Sequence, residues 1–189
     1  MDRRGLLTWI CRVAATACAA VVAIPGVAYL VAPLARQGKS AALVQRLCPL
    51  DDLVPDKPSE HVLTGNRRDA WTLYPQQVLG RVWLVRRTGP DVPPGDAKVD
   101  AFSAICPHLE CLIGMNSAGD GYFCACHKAD FALSGDVVQN SDAQEKNPAP
   151  RAMDSLTCRV VQDEATEAWW VEVEYLRFRP GVSAKTPLA

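Results

Sequence analysis

From Val13 to Ala35 the chain (VAATACAAVVAIPGVAYLVAPLA) runs for 23 positions without a charge, and nothing else in the sequence approaches this run. At a rise of ~1.5 Å per residue such a helix reaches about 34 Å, enough to cross a hydrocarbon core of ~30 Å. Beyond it the pattern changes. Residues 36–59 are polar, with prolines at 49, 55 and 58, and read as a flexible linker. From residue 60 to 189 short apolar runs alternate with turn signals, the pattern of an all-β domain. The clearest strands are 81–87 (RVWLVRR), 99–105 (VDAFSAI), 156–161 (LTCRVV) and 168–178 (AWWVEVEYLRF). Gly89-Pro90, Pro93-Pro94-Gly95, Ser117 to Gly121 and Asn147 to Pro150 separate them, all residues that break regular structure. The polar stretch Asn140 to Asn147 is expected as an exposed loop. Trp71, Trp83, Trp169 and Trp170 are expected to pack in the core, and His61 to be an ordinary strand or surface residue. Arg67-Arg68 and Arg86-Arg87 are expected on solvated faces.

Length and charge narrow the classes. The 189 residues allow one domain plus an extension. With 49% hydrophobic and 22% charged residues the chain is not a disordered one. A net charge of −1 leaves no basic footprint for nucleic acid. Arg3, Arg4 and Arg12 precede the apolar run, so the positive-inside rule puts the N-terminus in the cytoplasm and the rest outside, an asymmetry that Arg36 and Lys39 weaken. Arg3-Arg4 followed by Leu6-Leu7 resembles a twin-arginine export signal. A cleaved signal has an apolar region of ~7–15 residues and a small-residue cleavage site. This run is longer and ends on Pro33-Leu34-Ala35-Arg36 without such a site, which favours an uncleaved anchor; the alternative is cleavage between Ala28 and Ala35. Pro25-Gly26 is a candidate kink.

The eight cysteines are too few for a disulfide scaffold and too many to ignore in a reduced compartment. Cys11 and Cys18 lie in the anchor, where thiols act as small apolar groups. Cys48 and Cys158 have no evident role, a bridge between them being the lesser alternative. The other four join two of the chain's three histidines within 22 residues: Cys106-Pro-His108-Leu-Glu-Cys111 and Cys124-Ala-Cys126-His127. Packing alone does not produce such a cluster. A zinc site is one reading, since C-x-H and C-x₂-H pairs supply four ligands. It leaves two cysteines unexplained, and zinc sites more often use C-x₂₋₄-C and H-x₃₋₅-H pairs.

The two boxes resemble the Rieske iron–sulfur proteins, whose C-x-H and C-x₂-H motifs are similarly spaced; here fifteen residues separate His108 from Cys124. The resemblance implies an all-β Rieske-type head of stacked antiparallel sheets on a single N-terminal transmembrane helix, and a [2Fe-2S] cluster. Cys106 and Cys124 would bind one iron, His108 and His127 the other. Neutral imidazoles in place of thiolates lower the cluster's negative charge and raise its potential above that of all-Cys ferredoxins. Cys111 and Cys126 stand where the quinol-oxidising members carry a disulfide that ties the two loops. Asn147-Pro148-Ala149-Pro150-Arg151 resembles the loop that covers the cluster, with Asn where Gly is common.

Two positions depart from the high-potential members. Ala129 and Phe131 stand where those members have Ser and Tyr, whose hydroxyls donate to a cluster sulfide and a ligand thiolate. Without these donors a lower potential is expected, suited to a menaquinol-like donor. By resemblance, quinol hydrogen-bonds to His127, His108 is the second exposed edge, and Leu109 is an apolar cover. The head then swings on its linker to a c-type cytochrome. The implied partners are quinol, a cytochrome b-type subunit and a c-type cytochrome in a multi-subunit, dimeric complex. The implied location is the bacterial cytoplasmic membrane, single-pass, with the head on the periplasmic side. The alternative is the Rieske small subunit of a periplasmic molybdenum oxidase such as arsenite oxidase, a static relay without quinol contact.

Overall fold

The computed structural model describes residues 2–35, 43–69, 72–139 and 146–188. They fall into two compact units, one holding a single helix and the other holding all the strands. Helix α1 (Arg3–Ala35) continues through Pro25 and Gly26. Its Arg3–Ala32 span has a mean hydropathy of 2.0 and is nowhere buried within the chain. By length and composition it could cross a membrane.

The head is antiparallel β throughout. Strands β1 (Leu43–Pro49), β2 (Ser59–Asp69), β3 (Thr72–Arg86), β4 (Val99–Ser103), β8 (Ser155–Gln162) and β9 (Trp169–Tyr175) form one sheet in the order β1-β9-β8-β4-β3-β2. Its outer strands β1 and β2 approach each other, so the sheet curls toward a barrel. Between β4 and β8 the chain forms a second sheet from β5 (Gly114–Met115), β6 (Gly121–Cys124) and β7 (Ala129–Ala132). Alternation explains β9: Val171, Val173 and Tyr175 are buried while Glu172 and Glu174 are half-exposed, the period-2 pattern of a strand with one face on a core.

Two cores result, and β3 joins them. Val82 and Leu84 pack in the barrel with Leu50, Leu63, Val171 and Val173. Trp83 and Val85, on the opposite face, pack with Phe102, Tyr122, Phe131, Cys106 and Cys124 beneath the small sheet. Burial on both faces is what makes RVWLVRR a continuous apolar run rather than an alternating one. It also corrects the expectation for Arg86-Arg87. Arg86 is only 6% exposed and donates to the carbonyls of Leu50 and Gly89. Half-buried Arg87 donates to Asp100 at 2.7 Å and to Leu133 O at 2.8 Å. Arg86 ends a doubly buried strand and is itself buried, and Arg87, just after it, is half-buried in its ion pair with Asp100.

The linker expected over 36–59 is folded over much of its length. Residues 36–42 lie outside the described set, and from Leu43 the chain is an edge strand paired with β9. A bulge between Arg46 and Cys48 breaks its alternation, and Arg46 is held outward by Glu172 and Asp163. Prolines and charges masked a segment whose Cys48, Leu50 and Leu53 are core residues. Trp71 and residues 140–145 also lie outside the described set. Asn147, expected at the end of an exposed loop, is 4% exposed. Trp169 and Trp170 are half-buried, with Trp169 packed against the barrel core, and His61 lies in β2 with its Nε2 2.9 Å from Ser59 Oγ. Cys48 and Cys158 are unbonded. They sit on β1 and β8, opposite Val171 and Val173 of the intervening β9. Two strand spacings of ~4.8 Å exceed the Cα separation a disulfide tolerates.

Candidate metal centre

Two turns at one end of the head carry the chemistry. In the first, Cys106 N–H donates to Cys111 O at 2.7 Å and Glu110 N–H to Cys106 O at 3.0 Å, while Ile105 and Leu112 bridge behind them. This closes 106–111 into a tight loop with Cys106 buried, His108 half-buried and Leu109 exposed at its tip. Trp83 anchors the loop's exit, its indole N–H donating to Ile113 O at 3.0 Å. In the second, β6 and β7 pair so that Cys124 faces Ala129. The turn between them throws Ala125, Cys126, His127 and Lys128 into solvent while Cys124 stays buried. Lys128 adopts the left-handed conformation, φ 57°, that lets so short a turn close.

A disulfide between Cys111 and Cys126 ties the turns, with Cα atoms 6.5 Å apart. It brings the His108 and His127 rings to 4.7 Å between centroids, edge to face. On the same two turns the Cys106 and Cys124 thiols are within hydrogen-bonding reach of each other. Burial pushes the Cys106 thiol up to about 12, against the pull of the backbone N–H groups of His108 and Leu109. Cys124 also lies near Cys111 and Cys126, all three sulfurs within 4.8 Å. Those two are spent in the disulfide, which leaves Cys124 as the available thiol of that trio.

A [2Fe-2S] cluster of the Rieske kind requires two thiols on one side and two imidazoles on the other, and this donor set fits. The most direct sign is His108 Nδ1, a buried ring nitrogen with no hydrogen-bond partner among the described residues. Such an atom is costly to bury unless something binds it. The segment expected as a cover, residues 147–151, is tied to the strand beside the second turn. Asn147 donates from its amide to Asp130 O at 2.7 Å and Val138 O at 2.9 Å, and accepts from Ala149 N–H at 3.0 Å. The side chain at this position thereby fixes the start of Pro148–Pro150 to the strand that follows the second turn. Sequence reasoning did not find this role, for which a lone Asn before a proline is a weak signal. Ala129 and Phe131 are both fully buried and offer no hydroxyl. Tyr122 carries a buried hydroxyl without a hydrogen-bond partner among the described residues.

Residues 44–161 match the family described as Rieske [2Fe-2S] domain. Among curated proteins the chain is 30% identical over 83 residues to a cytochrome b6-f complex iron-sulfur subunit of Prochlorococcus marinus, a match covering 43% of each chain. It is 33% identical over 63 residues to the subunit of the same description from Chlorobaculum thiosulfatiphilum, covering 33% of this chain and 31% of that one. These matches span less than half the length of the curated relatives. Among solved structures, the plasma membrane Rieske protein of Synechocystis PCC 6803 aligns with 67% of this chain and 97% of its own at 22% identity and a TM-score of 0.39.

Proposed function

The chain belongs to the Rieske [2Fe-2S] domain family, and we propose that it is the membrane-anchored iron–sulfur subunit of a quinol:cytochrome c oxidoreductase. Cys106 and Cys124 would hold one iron through their thiolates, and His108 and His127 would hold the other through ring nitrogens. The bound cluster supplies a one-electron redox centre. The protein's own part is to bury the sulfur side and present the imidazole side. His127, on its exposed turn, accepts the hydrogen bond of a quinol hydroxyl and holds the departing proton at its outward ring nitrogen. His108 offers a second, more sheltered edge, and exposed Leu109 and Leu112 give the quinol ring an apolar face beside it. The disulfide keeps both imidazoles at one edge.

The observation that carries this reading is the pairing of the two histidine rings at 4.7 Å, one exposed and one half-buried, on turns that each also carry a buried thiol. Helix α1 serves as an uncleaved anchor with its arginines in the cytoplasm and the head on the periplasmic side of a bacterial membrane. Cys111–Cys126 suits that oxidising side. From Leu43 onward the chain belongs to the folded head. The partners are a cytochrome b-type subunit and a c-type cytochrome acceptor within a dimeric complex. The relatives described above are subunits of cytochrome complexes, which does not favour the molybdenum-oxidase alternative.

The test is reduction of the full-length protein in membranes by menaquinol, followed by electron paramagnetic resonance. A Rieske-type signal on menaquinol addition is expected. A signal that appears with dithionite but not with menaquinol ends the quinol reading. No signal with either reductant ends the ligand assignment. Sequencing the mature N-terminus of the extracted protein checks the anchor: a start at Met1 or Asp2 is expected, and a start between residues 28 and 36 overturns it.

A further inference from the structure

Residues 177–188 lie outside the span that matches the family, and no role given so far uses them. They form a closed and anchored unit. Arg179 N–H donates to Thr186 O and Leu188 N–H to Arg177 O, each at 2.8 Å. Phe178 and Pro187 bridge across the resulting hairpin. Phe178 is buried in the barrel core. Lys185 fixes the returning arm to β8, its Nζ donating to Ser155 O at 2.6 Å and to Ser155 Oγ at 2.9 Å.

From that base the hairpin makes three contacts toward the metal centre. Gly181 N–H donates to Pro107 O at 2.9 Å. Arg177 Nη2 donates to Glu110 Oε1 at 2.7 Å. Val182 O accepts from Arg151 Nη1 at 2.5 Å. Arg151 ends the covering segment and is itself held by Asp154 through two bonds of 2.9 and 2.8 Å, with both side chains buried. The first two contacts fall one residue before His108 and two residues after it. Two of the residues involved are in left-handed conformations, Gly181 at φ 73° and Glu110 at φ 60°. For Gly181 this is free, and it turns the N–H toward Pro107 O. For Glu110 it carries a backbone cost that the surrounding contacts must offset, and Arg177 is the ion-pair partner of its carboxylate.

We propose that residues 177–188 are a strap that positions the loop carrying His108, with Arg177 and Gly181 as positioning residues for the metal centre. The proposal rests on the assignment of Cys106 and His108 as ligands. The loop's internal backbone bonds join Cys106 to Glu110 and Cys111, and the intervening His108 and Leu109 turn their N–H groups inward onto the Cys106 thiol. Bracketing that pair from outside fixes the pitch of the His108 ring against the buried thiols. By gripping Arg151 as well, the strap moves the covering segment and the first loop as one body.

The test uses full-length protein in detergent and four variants: Arg177→Glu, Glu110→Arg, the double charge swap, and Gly181→Ala. Two readouts are followed, the electron paramagnetic resonance line shape of the reduced centre and the rate at which visible absorbance is lost to a chelator. Each single charge reversal is expected to shift or broaden the signal and to speed loss about two- to fivefold, the range of an exposed ion pair. The double swap is expected to restore both readouts, and Gly181→Ala to move both with the ion pair intact. Unchanged line shapes in the singles overturn the strap, even if melting temperatures fall, because a merely structural tail would lower stability without moving the signal. A double swap no better than the singles overturns the role of the pair. Lack of a Rieske-type signal in the unaltered protein removes the ligand assignment, and the strap with it, a result distinct from a signal the variants leave unmoved.

Discussion

A hydroxyl introduced at position 129 or 131 should raise the midpoint potential of the centre. Ala129 is fully buried and directly opposite Cys124 in the β6–β7 register. Directly opposed residues hold their Cβ atoms ~4.5–5.5 Å apart, so a serine Oγ at 129 comes within hydrogen-bonding reach of the sulfur at 124 or one beside it. Phe131, two residues further on the same face, is 1% exposed and packs with Cys106 and Cys124. A tyrosine there adds one oxygen to that wall. In both cases the donor meets sulfur that becomes more negative on reduction, so the reduced state gains more. A hydrogen bond to a charged acceptor is worth ~1.5–3 kcal/mol. If roughly half of that distinguishes the two oxidation states, the gain is about 1 kcal/mol, or about 45 mV for a one-electron couple. Ala129→Ser and Phe131→Tyr are each expected to add about that amount, and the pair to add somewhat less than twice as much because neighbouring sites couple. Potentiometric titration followed by circular dichroism measures it. A double variant that keeps a Rieske-type spectrum but titrates within about 15 mV of the parent, a third of one donor's share, refutes the argument that missing donors set the potential.

Other expectations follow from single contacts. Cys111→Ser should cost about 3 kcal/mol, since the bridge closes a loop with a sequence separation of 15; guanidinium unfolding measures this, and an unchanged midpoint counts against a formed bond. Arg46 lies between Asp163 and Glu172. Asp163 is held below the usual carboxylate range by the Thr166 backbone N–H and then by Arg46, and Glu172 chiefly by Arg46. Carboxylates depressed in the folded state contribute stability above their unfolded values near ~4 and lose it as pH falls through the folded ones. Arg46→Ala should therefore shift acid unfolding to higher pH, less so in high salt, and coincident acid limbs would exclude the pairings. Cys48 and Cys158 have thiols pushed up by burial to about 11 and about 12. Both should resist alkylation at pH 8 until the head unfolds, as mass spectrometry can follow, and rapid labelling of the folded protein would contradict their placement.

Much of the architecture was legible because its causes are local. A 23-residue uncharged run fixes a helix whose environment is apolar, and short runs between breakers fix strands, since both depend on neighbouring residues alone. Tyr175 and Val173 announced their face of β9 by alternation. Leu43–Pro49 did not, because a bulge and an outward Arg46 interrupt the period. Arg86 read as a surface charge because nothing in its neighbourhood shows that it continues the barrel face of Val82 and Leu84, where it meets Leu50 O.

The sequence by itself determined the donor inventory: which residues are thiols and imidazoles, and at what spacing, because ligand chemistry is a property of residue type. Tertiary structure decided how they meet. Chain spacing does not say which of eight cysteines bond, whereas the folded head bonds Cys111 to Cys126 and keeps Cys48 and Cys158 apart on either side of β9. Nor does spacing set the 4.7 Å between two histidine rings, the grip of Asn147 on the covering segment, or the reach of Arg177 to Glu110 across 67 residues. Those are contacts between distant parts of the chain, and their geometry exists only once the sheets have brought the parts together.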